Sequence, residues 1–276
     1  MRLQDKVIVV TAATRGIGAA IVKACAQEGA TVYIGARNME RAQAEADEMT
    51  AAGLAVKCVY NDASKPDSYQ SMIDTVVAAE GRIDGLVNNF GGTNPAEDKD
   101  LLNTSYEHFL AGVDANVGSV FLGCQAAARE MAKTGGGSIV NISSIAGSVP
   151  DISQIAYGTS KAAINHMAKS MAVQLAKSSI RVNAVAPGMT ATDAVADNLS
   201  EEFKQFFLRH IPLGRMADPA HIAAAVVYFL GDESAATTGQ LIEVAGGFGL
   251  ATPIYADAMD AAVSRIVRRG SPRIRR

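Results

Sequence analysis

Cysteine is scarce in this 276-residue chain, and the three present, Cys25, Cys58 and Cys124, stand far apart with no metal-ligand spacing. An odd, scattered set excludes a disulfide framework and a zinc site, and points to reduced thiols in a reducing compartment. No run of about 20 apolar residues occurs, which excludes a membrane-spanning helix. The opening Met1–Lys6 leads straight into a strand pattern without the apolar block of a signal peptide, so a cytoplasmic protein is expected. Charge of one sign is not in excess either: 25 basic residues face 28 acidic ones, a formal net of −3. That balance excludes a broad electrostatic footprint for nucleic acid.

What the chain does have is apolar residues, 49% of the total, arranged in short runs separated by helical patterns. Strands are predicted at Lys6–Val10, Thr31–Gly35, Ala55–Tyr60, Gly85–Asn88, Ser138–Ile142, Ile180–Val185 and Gln240–Val244. Helices are predicted at Ile17–Gln27, Asn38–Ala51, Pro66–Ala79, Tyr106–Lys133, Tyr157–Ala176 and Pro219–Phe229. Continuous apolar strands alternating with helices predict an α/β fold, a parallel doubly wound sheet with helices on both faces. No linker divides residues 1–250, which read as one domain; residues 190–212 interrupt its last crossover, and residues 251–276 form a basic extension.

Val7–Val10 runs into Thr11-Ala12-Ala13-Thr14-Arg15-Gly16-Ile17-Gly18, where a helix begins. A strand, a small-residue turn and a helix N-terminus form an anion site suited to a dinucleotide pyrophosphate. The second strand ends in Tyr33-Ile34-Gly35-Ala36-Arg37-Asn38, with no carboxylate for a ribose 2′-hydroxyl. Arg37, with Arg15 from the turn, can instead fork onto a 2′-phosphate, so NADP(H) is expected rather than NAD(H).

Tyr157 and Lys161 are i,i+4 neighbours on a helix, with Ser144 thirteen residues upstream. A phenol ordinarily ionises near pH 10. A cation about 4 Å away supplies on the order of 4 kcal/mol at an effective dielectric near 20, enough to bring the phenol toward neutrality. The pair reads as a proton donor and acceptor.

Taken together, Thr11…Gly16-Ile17-Gly18, Asn88-Asn89-Phe90-Gly91, Asn116, Ser143-Ser144, Tyr157-x-x-x-Lys161 and Pro187-Gly188 resemble the short-chain dehydrogenase/reductase family over residues 5–249. The resemblance implies a seven-stranded Rossmann fold, a nicotinamide cofactor, alcohol/carbonyl chemistry and a homotetramer. Tyr157 would exchange the proton with the substrate oxygen. Lys161 would lower its pKa and hold the nicotinamide ribose, and Ser144, rather than Ser143, would orient the substrate. Asn116 would hold a water behind Lys161. Asp62 would meet the adenine, Asn88 would support the sheet and ribose, and Thr192 would bind the pyrophosphate or carboxamide end. The implied cofactor surface also takes in Thr14, Ile17, Ala63, Asn89, Pro187, Gly188 and Thr190. Two positions depart from the family pattern: Ala12 replaces a glycine, and Phe90 replaces an alanine. Ala12 is expected to tighten the phosphate turn; Phe90 either abuts the cofactor or fills space.

Asn61-Asp62-Ala63, Asn89-Phe90-Gly91, Pro150–Tyr157, Pro187–Asp193 and Gly246–Ile254 carry a narrower likeness. They resemble bacterial bile-acid hydroxysteroid dehydrogenases, best the NADP-dependent 7α group, which implies interconversion of a 7α-hydroxyl and a 7-ketone. A reductase of another carbonyl, such as a 3-oxoacyl thioester, is the rival reading. A non-catalytic NADP(H) sensor is opposed by the intact Asn116, Ser144, Tyr157 and Lys161. Phe203, Phe206, Phe207 and His210 repeat at i, i+3, i+4, i+7, a stripe that either packs a lid onto the core or faces an apolar substrate. The arginines of the tail (Arg265, Arg268, Arg269, Arg273, Arg275, Arg276) read as a solvated end or as an attraction for anionic bile salts or phospholipid surfaces.

Overall fold

Val7 and Val9 point to one side of the first strand and Ile8 and Val10 to the other, and this alternation divides the core in two. The computed structural model describes residues 1–193, 195, 199–252 and 254–261. The tail arginines lie outside the described residues.

Seven strands form one sheet: β1 Val7–Thr11, β2 Thr31–Ala36, β3 Val56–Tyr60, β4 Gly85–Asn88, β5 Gly137–Ile142, β6 Ile180–Pro187 and β7 Leu241–Val244. Their spatial order is β3-β2-β1-β4-β5-β6-β7, and every neighbouring pair is parallel. Helices α1 Gly16–Gln27, α2 Met39–Ala51 and α8 Pro219–Leu230 cover the face bearing Ile8 and Val10. On the opposite face, against Val7 and Val9, lie α3 Asp67–Glu80, α5 Ser119–Met131 and α6 Ile155–Leu175. Burying both faces is why these strands read as unbroken apolar runs. The chain leaves β1 toward β2 and returns to β4 on the other side, so a crevice opens at the strands' C-terminal ends where β1 meets β4.

The helix expected over Tyr106–Lys133 is not continuous. It runs as α4 Tyr106–Val113, a π-helical turn Asp114–Gly118, then α5. The cause is Asn116, whose Nδ2 donates to the Gly112 carbonyl at 2.8 Å and to the Gly92 carbonyl at 2.9 Å. A side chain that takes the i−4 carbonyl competes with the regular ladder, and the turn widens to accommodate it. Among the described residues, no helix is long and apolar enough to cross a membrane.

Candidate active site

The turn after β1 is held from both sides, by a main-chain bond to β2 and by side-chain bonds to the loop after β4. Ala12 N–H donates to the Gly35 carbonyl at 2.7 Å, and Asn89 Nδ2 donates to the Ala12 carbonyl at 3.0 Å. Thr11 Oγ1 accepts from Asn89 N–H at 3.0 Å. Ala12 sits at φ +52°, the left-handed region that glycine occupies freely, so the substitution read from sequence as a tightening carries backbone strain. Helix α1 starts at Gly16 with Arg15 at its N-cap; no side chain caps it and no acidic residue lies in its first turn. Its N–H groups therefore face the crevice, as an anion site requires. At Gly18 a Cβ would lie 2.6 Å from the Ala13 Cα and 2.9 Å from the Ala12 carbonyl oxygen, so only glycine fits. Thr192, following Pro187, Gly188 and Thr190 off the end of β6, lies against Gly16, its Cγ2 3.4 Å from where a Cβ would be.

Beside this turn lies a cavity of about 340 Å³ lined by Ala12, Ala36, Arg37, Asp62, Ala63 and Phe90. Arg37 and Arg15 are both exposed at the crevice. Asp62 accepts from Ser64 N–H and Oγ, which together with nearby Arg37 and Lys65 hold its carboxyl below the usual range. Phe90 is thus part of a cavity wall rather than core filler. Thr14 and Ile17 are half-buried in the same turn and first helical residues.

At the neighbouring strand ends, Ser143 and Ser144 follow β5. Ser143 Oγ donates to the Lys161 carbonyl at 3.1 Å, locking β5 to α6. Ser144 Oγ accepts from Ala146 N–H at 3.2 Å and reaches the Tyr157 phenol. Lys161 is buried; its Nζ donates to the Ile142 carbonyl at 3.0 Å and stands 5.5 Å from the Tyr157 ring centroid. Burial pushes the Lys161 ammonium down to about 8. Burial also raises the Tyr157 phenol above its ordinary value, and the bond from Ser144 only partly opposes that. Desolvation disfavours the charged form of each group, which is why the phenol moves up and the ammonium down.

Asn116 accepts at its Oδ1 from Gly92 N–H at 3.0 Å while its amide donates to the two carbonyls noted above. Asn88 Nδ2 donates to Asn141 Oδ1 at 2.9 Å, tying β4 to β5. All four residues expected in the catalytic group converge on the C-terminal ends of β4 and β5.

A second cavity, of about 400 Å³, opens next to Ser144, with Ile145 and Ala146 in one wall. Its other wall is the stripe on α7 Glu201–Leu208 and the turn after it: Phe203, Phe206, Phe207 and His210. Phe207 stacks on Phe248 with ring centroids 4.7 Å apart, and Phe206 meets His210 edge-on at 5.5 Å. The stripe faces this cleft. Phe203 and Phe206 remain 46% and 57% exposed, which a stripe packed on the core would not allow. Arg209 pairs with Asp260 at 2.7 Å and Asp257 at 3.6 Å, joining the stripe to the segment after β7.

Sequence reading missed Asp98. It is 2% exposed, and its carboxylate accepts from the N–H groups of Ala156 and Tyr157. In Glu97-Asp98-Lys99-Asp100 it resembles any solvated charge run, and no local pattern marks it.

Known proteins match this geometry over nearly its whole length. A family model described as enoyl-(acyl carrier protein) reductase matches residues 11–249. A 7α-hydroxysteroid dehydrogenase of Clostridium sardiniense is 48% identical over 256 residues, covering 93% of this chain and 98% of that protein. A 3-oxoacyl-[acyl-carrier-protein] reductase FabG of Chlamydia muridarum is 36% identical over 246 residues, covering 89% and 98%. Among solved structures, a 7α-hydroxysteroid dehydrogenase complexed with NADH and 7-oxo glycochenodeoxycholic acid superposes with a TM-score of 0.85 at 33% identity, covering 90% of this chain and 95% of that one. The glycine turn, the parallel seven-stranded sheet and the Ser144–Tyr157–Lys161 grouping, with these relatives, make the chain a member of the short-chain dehydrogenase/reductase family, oxidoreductases that work with a nicotinamide cofactor.

Proposed function

We propose that this oxidoreductase interconverts a 7α-hydroxyl and a 7-ketone on bile acids with NADP(H). The observation that carries the reading is the aromatic-walled cleft of about 400 Å³ beside Ser144, built from Phe203, Phe206, Phe207 and Phe248. Its volume falls in the range of about 300–1,000 Å³ usual for small-molecule sites, and its walls suit a broad, rigid apolar skeleton. The relative of 48% identity named as a 7α-hydroxysteroid dehydrogenase supports the position on the steroid.

Hydride transfer is the chemistry NADP(H) supplies when bound. The residues present fit it: the uncapped N-terminus of α1 would hold a pyrophosphate, with Thr14, Arg15, Gly16, Ile17 and Gly18 forming the turn. Pro187, Gly188, Thr190 and Thr192 would bound it from the end of β6. Asp62 and Ala63 would take the adenine, and Asn89 would form part of the cofactor surface beside the turn. Arg37, with Arg15, reads the 2′-phosphate at a strand end that has no carboxylate. In the reducing direction Tyr157 gives its proton to the carbonyl oxygen, and in the oxidising direction it takes the proton of the alcohol. Ser144 donates a hydrogen bond to the same oxygen and fixes its angle. Lys161 bears on the phenol and the ribose, and Asn116 holds a water behind it. Residues 190–212 act as a lid over the steroid. Exposed Tyr106, Leu110 and Phe121 on α4 and α5 support self-association, which we extend to a homotetramer. Unpaired Cys25, Cys58 and Cys124 suit a cytoplasmic setting.

The rival, reduction of a 3-oxoacyl carrier thioester, is favoured by the family model's description and the FabG relative. A carrier protein is acidic at its docking face and calls for basic residues at the cleft mouth. The described lining carries Asp151 and no lysine or arginine.

The deciding assay follows NADPH formation with chenodeoxycholate, ursodeoxycholate and deoxycholate. Turnover of chenodeoxycholate alone is expected, since the second carries a 7β-hydroxyl and the third no oxygen at that carbon. Turnover of all three would move the reaction to another steroid position. No turnover, with NADPH still binding, would pass the assignment to the thioester.

A further inference from the structure

We infer that Asp98 is a positioning residue for the reaction: its buried carboxylate, in place of a local cap, sets the first turn of the helix that carries Tyr157. The inference rests on Tyr157 as the proton donor assigned above.

Helix α6 begins without any of the usual devices for satisfying its first N–H groups. Its N-cap, Gln154, is a non-glycine residue at φ +59° and makes no side-chain capping bond. The first four N–H groups of a helix have no intrahelical partner and must find one elsewhere when buried; here the three within the helix are those of Ile155, Ala156 and Tyr157. All three are taken by one remote segment. Ile155 N–H donates to the Lys99 carbonyl at 3.1 Å. Ala156 N–H donates to Asp98 Oδ1 at 2.9 Å, and Tyr157 N–H to Asp98 Oδ2 at 3.0 Å. The first bond within the helix is then Gly158 N–H to the Gln154 carbonyl at 2.9 Å. For Ile155, Ala156 and Tyr157 every N–H is accounted for, and Asp98 supplies two of the three acceptors.

The carboxylate is itself fixed. Thr93 Oγ1 donates to Oδ2 at 2.8 Å, so Oδ2 accepts twice and Oδ1 once. A negative charge at a helix N-terminus is favoured by the aligned peptide dipoles, and bonds to an ionised acceptor are stronger than neutral ones. A two-point grip on successive N–H groups defines the rotation of the turn as well as its place. That rotation aims the Tyr157 side chain.

The segment holding Asp98 also touches the rest of the catalytic group. Gly92 exchanges both of its main-chain bonds with the Asn116 amide. At Gly91 a Cβ would stand 2.6 Å from Lys161 Nζ and 3.2 Å from Asn116 Oδ1, so the backbone passes as close to the lysine as glycine permits. Residues 91–99 thus bear on Asn116, Lys161 and Tyr157 within nine positions. Errors of about 1 Å in a reacting group cost on the order of a hundredfold in rate, which makes such a brace matter for turnover and not only for folding.

The test compares Asp98→Asn, Asp98→Ala and Thr93→Val with wild type, and with Ile73→Val, a buried deletion on α3 far from the site that lowers stability by another route. Asparagine keeps one acceptor and turns a donor toward the second N–H. We expect kcat with chenodeoxycholate and NADP⁺ to fall about tenfold in Asp98→Asn and about a hundredfold in Asp98→Ala, with a smaller loss in Thr93→Val. KM and the NADPH dissociation constant should stay within about twofold, on the reasoning that only transition-state geometry changes. Amide hydrogen exchange, which needs no substrate, should accelerate at Ala156 and Tyr157 in the Asp98 variants and stay unchanged there in Ile73→Val. If kcat in Asp98→Asn merely follows the folded fraction, as in Ile73→Val, the role is overturned. Unchanged exchange at Ala156 and Tyr157 would overturn it equally. Wild-type silence on the bile acid would instead remove the substrate assignment, and the exchange comparison would still decide for or against Asp98. Should Asp98→Ala fail to fold, Asp98→Asn and Thr93→Val carry the same test.

Discussion

The two halves of the crevice are built by different means. On the cofactor side, the turn after β1 hangs on a main-chain bond to Gly35 and on the Asn89 side-chain amide, and its neighbours are strand ends in a fixed register. On the substrate side, α7 stands away from the sheet, held by aromatic contacts to Phe248 and by Arg209 pairing with Asp257 and Asp260. Exposed ion pairs contribute at most about 1 kcal/mol each. One half therefore cannot move without breaking the sheet, whereas the other can shift while the sheet stays intact. The difference explains how one scaffold keeps a cofactor and varies its substrate.

The largest effect should come where the halves meet. Tyr157→Phe removes the proton donor and keeps the ring, so kcat should fall by about 10²–10⁴ while NADPH fluorescence titration shows retained binding. Near-wild-type turnover would show that the proton comes from another group. Next, Arg37→Asp should reverse the charge offered to the 2′-phosphate and change the ratio of kcat/KM for NADP⁺ over NAD⁺ by about 10–100-fold. An unchanged ratio would mean the phosphate is read elsewhere. On the substrate side, Phe207→Ala deletes the stack on Phe248. The KM for chenodeoxycholate should rise about tenfold, with the NADPH dissociation constant unchanged and Tm nearly so. A large drop in Tm would break the comparison, because the stripe would then be part of the core. The smallest effect lies in the rigid half. Ala12→Gly relieves the left-handed strain at φ +52° and should raise stability in urea by about 0.5–1 kcal/mol, after the greater freedom of glycine in the unfolded chain is subtracted.

The same division governs what could be read in the sequence. Strands β1 to β7 and the glycine turn were legible because their physics is local: apolar runs of strand length, and a helix opening directly after a strand. Tyr157, Lys161 and Ser144 were legible through fixed spacing. The break at Asn116 was not, since the side chain is turned onto the Gly112 carbonyl while also bridging to Gly92, twenty-four residues away. Nor was the raised phenol, because burial is a property of the assembled fold while the lysine is visible four residues on. Ala12 was noticed as a departure, yet its strain appears only with the backbone angle. Asp98 escaped altogether: its partners lie 58 and 59 positions onward, and a carboxylate among charged neighbours carries no sign that it is buried.

That separation bears on the order of events as the chain folds. The first turn of α6 has no partner for its N–H groups in its own neighbourhood, so in the unfolded chain it frays where the remainder of the helix can form. It closes only after β4 and β5 have paired and brought the loop after β4 alongside, a contact bridging more than fifty residues and correspondingly slow to find. During refolding, regain of helical signal should run ahead of regain of activity, with the seating of Asp98 against α6 among the late steps.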